Sequence, residues 1–156
     1  MFDFGTVLDD RLLVPNFHAP NKLTALAGIV RHLAANDLVE DELALLQFLW
    51  DHEQRYGAVK HSGLAIPGGM AITEIVRKVI FAVFVAPEGI PYDSPDGLPI
   101  RIILVPLIPW HGNALGMKYM LRLMRKIQLP FVKRSLLEKA DAPSLRALLL
   151  RTLEIS

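Results

Sequence analysis

The chain contains no cysteine, which excludes disulfides, thiolate catalysis and cysteine-ligated zinc at once. It also lacks a long apolar run. The longest stretch without a charge, Ile102 to Met117, is interrupted by Pro106, Pro109, His111, Gly112 and Asn113 and falls short of the ~20 residues a membrane-spanning helix needs. Met1 to Gly5 hold an early acid, no basic flank and no apolar core, so a secretory signal is not expected and the location predicted is cytoplasmic. Also missing are a P-loop, a Rossmann glycine fingerprint, a His-Glu-x-x-His pair and a Gly-x-Ser-x-Gly elbow. No period of 20 to 50 residues repeats.

What is present suits one folded unit. With 156 residues, 52% hydrophobic and 21% charged, the chain can bury a layered core without staples, and a single domain over 1–156 is expected. No metal and no cofactor is called for. The net charge is only +1, yet residues 1–100 carry 7 basic and 13 acidic side chains and residues 101–156 carry 10 and 3. Solvated helix faces account for that asymmetry without a nucleic-acid partner.

Periodicity places the elements. Val7-Leu8 and Leu12 to Val14 read as a helical turn and an edge strand ending at Pro15. Asn21 caps a helix that buries Leu23, Leu26, Ile29, Val30 and Leu33. His32 beside that face and His18 before it read as structural or solvated. A second helix over Glu40 to Arg55 is expected to bury Leu43, Leu46, Leu49 and Trp50 and to leave Asp41, Glu42 and Glu53 in water, with Tyr56-Gly57 closing it. Asp51-His52-Glu53 then reads as a solvated helix end, since successive helix residues diverge around the axis.

Val79 to Val85 and Ile100 to Ile108 are continuous apolar runs, the mark of strands covered on both faces. The loop predicted between them runs from Pro87 to Pro99, and Pro106 argues that the second strand lies at an edge or leaves the ladder there. A helix from Leu115 or Gly116 turns Met117, Met120, Leu121 and Met124 inward and Lys118, Arg122, Arg125 and Lys126 outward as a basic stripe. That stripe lacks the interleaved aromatics of single-strand binders. A short helix over Phe131 to Lys139 and a last one after Asp141 complete the chain. Strands separated by amphipathic helices predict an α/β three-layer sandwich, a mixed central β-sheet with helices on both faces.

One stretch stands apart: His61-Ser62-Gly63-Leu64-Ala65-Ile66-Pro67-Gly68-Gly69, a short strand stopped at a Pro-Gly-Gly corner. Such a corner is usually a plain turn. Here Gly63 to Gly69 resembles the Gly-Ile-Ala-Ile-Pro-His-Gly segment of the enzyme IIA domains of the mannitol, fructose and nitrogen-regulatory class of the bacterial phosphotransferase system. Further phrases in the same order carry the resemblance along the chain: Arg11 to Val14, Lys22 to Ala35, Leu38 to Asp41, Ser94 to Pro99 and Leu121 to Leu137.

The resemblance implies that family's fold and a histidine that accepts a phosphoryl group and passes it on. It places that histidine at Gly68, a second, supporting one at Gly116, and a charge-supporting arginine at His52. Glycine offers nothing to attack with. The expectation is therefore a domain without phosphotransfer, a regulatory or adaptor protein that binds a phosphotransferase-system or regulatory partner or a second copy of itself. Two alternatives stay open. One is a working phosphocarrier in sugar uptake or nitrogen regulation that uses His111 or His61, supported by Arg55. The other is a small-anion sensor in which the backbone at Gly68, Gly69 and Gly116 attracts the ligand.

Overall fold

Two strands carry the sheet. In the computed structural model, which describes residues 4–57, 59–112 and 114–154 with the side chains of 59–61 excepted, β5 (Ile80–Ile90) and β6 (Ile100–Pro109) run antiparallel, Ile80 opposite Leu107 and Val85 opposite Ile102. Nearly every side chain in them is buried, as unbroken apolar runs require when helices cover both faces.

Short strands extend this pair in both directions. β1 (Leu13–Val14) lies parallel to β5 on one side. On the other, β3 (Leu64–Ala65) and β4 (Ala71–Thr73) each run parallel to β6, and β2 (Val59–His61) pairs antiparallel with β3. The sheet is mixed. One face is covered by α2 (Lys22–Ala35) and α3 (Glu42–Tyr56), through Leu26, Ile29, Leu33, Leu45 and Leu49. The other is covered by α1 (Phe4–Val7), α4 (Ala114–Ile127), α5 (Pro130–Leu137) and α6 (Ala142–Glu154), through Phe4, Met120, Leu123, Val132, Leu136, Leu145 and Leu149. This is the three-layer sandwich expected from the sequence.

The caps are local and legible. Asn21 Oδ1 accepts from the Thr24 N–H at 2.9 Å, Asp41 Oδ1 from Ala44 at 3.0 Å and Asp141 Oδ1 from Ser144 at 2.8 Å. Each satisfies a helix donor that has no partner within its own helix. The left-handed φ of Gly57, 72°, then ends α3.

Three helix faces differ from the expected ones. Leu23 and Leu121 are half exposed, with Ala25 and Leu123 buried in their stripes. In α3 the inward stripe is Leu45, Leu49 and Glu53, leaving Leu43 77% exposed and Glu53 only 7%. Asp41 starts the helix later than the periodicity suggested, and the spacing of four from Leu45 carries Glu53 inward.

The strands depart in two places. β5 continues through Pro87 to Ile90 because its register with β6 shifts between Val85 and Ile90, so an irregularity absorbs residues that resemble a loop. Pro106 sits within β6, opposite Phe81. It is tolerated because β3 pairs only as far as Ile103 and β4 begins only at Leu107. On that side residues 104–106 face neither strand, so no ladder is broken by the missing N–H.

Candidate functional site

Between β3 and β4 the chain leaves the margin of β6 at Ile66 and rejoins it at Ala71, and the glycine corner is that excursion. The Gly69 N–H donates to the Ile66 carbonyl at 3.0 Å, and Gly68 has φ 81°. Proline followed by a glycine of positive φ, closed by a bond from residue i+3 to residue i, is a type II β-turn. Ile66 and Met70 pack on the α4 face, whereas Gly68 and Gly69 turn toward α3.

The space next to Gly68 is filled. A Cβ there would stand 2.9 Å from Leu49 Cδ2 and 3.2 Å from Phe48 Cε2, and Gly68 itself is buried. At Gly69 (φ 59°) a Cβ would meet His52 Nε2 at 3.3 Å. Positions 52 and 69 are thus brought together. Among the described residues His52 is the one imidazole at the corner, tilted against the Tyr56 ring with centroids 5.0 Å apart. Its Nδ1 is buried with no hydrogen-bond partner among the described residues. A nucleophilic imidazole needs one nitrogen held as a donor so that the other keeps its lone pair toward the phosphorus, and no described residue holds Nδ1 of His52.

The rest of the Asp51-His52-Glu53 cluster is not the solvated helix end its sequence suggests. Glu53 Oε1 pairs with Lys22 Nζ at 3.0 Å, and that ammonium lies 5.5 Å from the centre of the Tyr92 ring. Glu53 Oε2 and the Tyr92 hydroxyl are buried without hydrogen-bond partners among the described residues. Burial first, and the Glu53 charge second, push the Tyr92 hydroxyl well above the ordinary phenol range.

The other candidate residues are dispersed. Gly116 is buried in the first turn of α4, in the layer opposite α3. Arg55 is exposed in the last turn of α3. His111 is exposed on the turn that the Gly112 N–H closes on Pro109 O at 2.8 Å, and it lines a cavity on the β1 and β5 side of β6. The side chain of His61 lies outside the described residues. As for an anion held by backbone N–H groups, the Gly69 donor is already spent within its turn.

His32 and His18 have the structural and solvated roles expected of them. His32 Nε2 lies 2.6 Å from Arg11 O, and His18 pairs with the exposed Glu88 at 3.3 Å. Of the basic stripe, Lys118, Arg122 and Arg125 are exposed, while Lys126 turns back to Leu153 O at 3.4 Å. Among the described residues no group of three His, Cys, Asp or Glu side chains is placed to hold a metal, and no helix is long and apolar enough to cross a membrane.

Solved enzyme IIA structures share this architecture. The nitrogen regulatory protein IIA-Ntr of Neisseria meningitidis superposes with a TM-score of 0.78 at 22% identity, over 94% of this chain and 98% of its own. Enzyme IIA for mannitol of Escherichia coli, solved in complex with phosphorylated enzyme IIB for mannitol, gives 0.74 at 17% identity over 92% and 96%. A crystal structure of mannitol IIA from the same organism gives 0.69 at 18% over 90% and 97%. At these identities the likeness establishes the fold. Comparison with curated protein sequences yields no match. The sequence itself matches the family described as phosphoenolpyruvate-dependent sugar phosphotransferase system, EIIA 2, over residues 6–151, and the chain therefore belongs to that family.

Proposed function

We propose that this chain is a cytoplasmic member of the EIIA 2 family that works by binding a protein partner and does not carry a phosphoryl group. The observation that carries this reading is the corner itself. Gly68 stands where the resemblance puts the phosphoryl-accepting histidine, and a Cβ there would press on Leu49 and Phe48 at a positive φ. The Nδ1 of His52, the imidazole described at the corner, has no hydrogen-bond partner among the described residues.

A partner surface is supported by exposed apolar residues at the end of β6. Trp110 is 75% exposed directly after the strand, Ile72 of β4 is half exposed opposite Ile108, and Leu115 opens α4. A large exposed tryptophan with aliphatic neighbours is a common interface anchor. Because one relative was solved with its phosphorylated enzyme IIB, the partner proposed is a component of the phosphotransferase system or a protein it regulates.

The test is direct. The chain is incubated with enzyme I, HPr and phosphoenolpyruvate and its intact mass is measured, beside His52→Ala and His111→Ala. No gain in mass is expected. An acid-labile gain of one phosphoryl group, lost in either variant, would overturn the reading and name the histidine that had taken over the transfer.

A further inference from the structure

On the opposite side of β6 from the glycine corner, a cavity of about 410 Å³ opens where β6 ends and β1 and β5 begin. That volume lies within the ~300–1,000 Å³ of small-ligand sites. Its apolar lining is Val7, Leu12, Leu38, Val79 and Pro109, and its polar lining includes Arg11, Arg77, Lys78 and His111. These four come from three segments: the 3-10 turn before β1, the residues before β5 and the turn after β6. The fold alone gathers them.

Their commitments differ. Arg11 is fully engaged, with Nε and Nη2 on the Asp9 carboxylate at 3.0 and 2.9 Å and Nη1 on Asn36 O at 3.1 Å. The one acid in the lining is thereby neutralised, and its carboxyl is held below the ordinary range chiefly by those Arg11 hydrogen bonds. Arg77 pairs with Glu40 at 3.0 Å, but both side chains are more than two-thirds exposed. The fork is bidentate, with Nη2 donating to the second Glu40 oxygen at 3.1 Å, so it is its exposure and the screening that follows that leave it open to exchange. Lys78 forms no ion pair or hydrogen bond among the described residues, though its charge acts on the Asp9 carboxylate beyond ion-pair range, and His111 forms neither.

We propose that this cavity binds a small organic phosphate monoester, its phosphate on Lys78, His111 and Arg77 and its organic body on the apolar floor. An ammonium point charge beside an imidazole and a guanidinium suits a compact dianion. An inorganic ion would leave most of the volume and all of the apolar wall unused. The site does not rest on the proposed function, because it shares no residue with the glycine corner.

Calorimetric titration of the full chain with phenyl phosphate, inorganic phosphate and benzoate tests it. Phenyl phosphate is expected to bind saturably, at least about fivefold tighter than either of the others. Lys78→Gln and His111→Gln should each weaken it about tenfold, while His52→Gln leaves it unchanged. Absence of saturable binding, equal binding of benzoate, or indifference to Lys78→Gln would overturn the site. Loss in His52→Gln would move the ligand to the glycine corner and overturn it equally.

Discussion

The two sides of β6 solve opposite problems. On the margin shared by β3 and β4 a buried glycine turn lies against Leu49 and Phe48, and Glu53, on the inward face of α3, is paired with Lys22. On the β1 and β5 side, space is left open and charge is available, with Lys78 and His111 facing a cavity. The position a family resemblance singles out is therefore the part of this molecule that bears on stability. The binding chemistry proposed above lies away from that position.

That contrast can be broken most forcefully at Gly68. Gly68→His places a Cβ at positive φ against a buried leucine, and overpacking together with the left-handed conformation should cost about 2–4 kcal/mol. Urea denaturation reads the loss. An unchanged midpoint would mean that the corner is as open as the cavity. Combined with Gly116→His, the substitution should still give no phosphoryl-protein, since the room for the imidazole is gone.

Lys22→Met comes next. It strands Glu53, whose side chain is 3% exposed, without its cation. Removing one partner of a fully buried pair costs about 3–5 kcal/mol; with Lys22 partly exposed, about 2–3 kcal/mol is expected. Restoration by the double variant Lys22→Met/Glu53→Leu would confirm that the stranded carboxylate, and not lost packing, is the cause.

Tyr92 gives a smaller effect and a pH signature. Its hydroxyl has no partner to lose, so Tyr92→Phe should change stability by no more than about 1 kcal/mol at neutral pH. The raised folded-state pKa favours the protonated phenol. Its stabilising contribution is complete below ~10, the unfolded value, and is lost as pH rises from there toward the folded one. Stability of the parent chain should accordingly fall more steeply in alkali than that of Tyr92→Phe. Parallel curves from pH 9 to 11 would refute the burial argument.

Least of all should happen to stability on the open side. Lys78→Gln is expected to shift the denaturation midpoint by no more than about 0.5 kcal/mol in free-energy terms while weakening phosphate-monoester binding. A variant that unfolds the protein instead would place Lys78 on the structural side of the contrast.

Much of this was readable in the chain because it is local. The caps at Asn21 and Asp141, the doubly covered strands β5 and β6, and the turn at Pro67-Gly68 each follow from neighbouring residues. What could not be read depends on distant partners. Glu53 turns inward on the phase of α3 and meets Lys22, 31 positions away. The tolerance of β6 for Pro106 comes from a gap between two other strands. Arg11, Lys78 and His111 meet only after folding, so no spacing announces their cavity. The signal that existed for Glu53 was its place in the four-residue series Leu45, Leu49, Glu53, once Asp41 is taken as the cap.

The contacts behind Gly68 give the reading proposed above a direction in evolutionary time. With Leu49 and Phe48 set against the backbone, a lone Gly68→His change would meet a folding penalty before it conferred any transfer, because Gly116 offers no imidazole to support it. On that reading the corner would act as a ratchet, leaving recognition easier to elaborate than transfer.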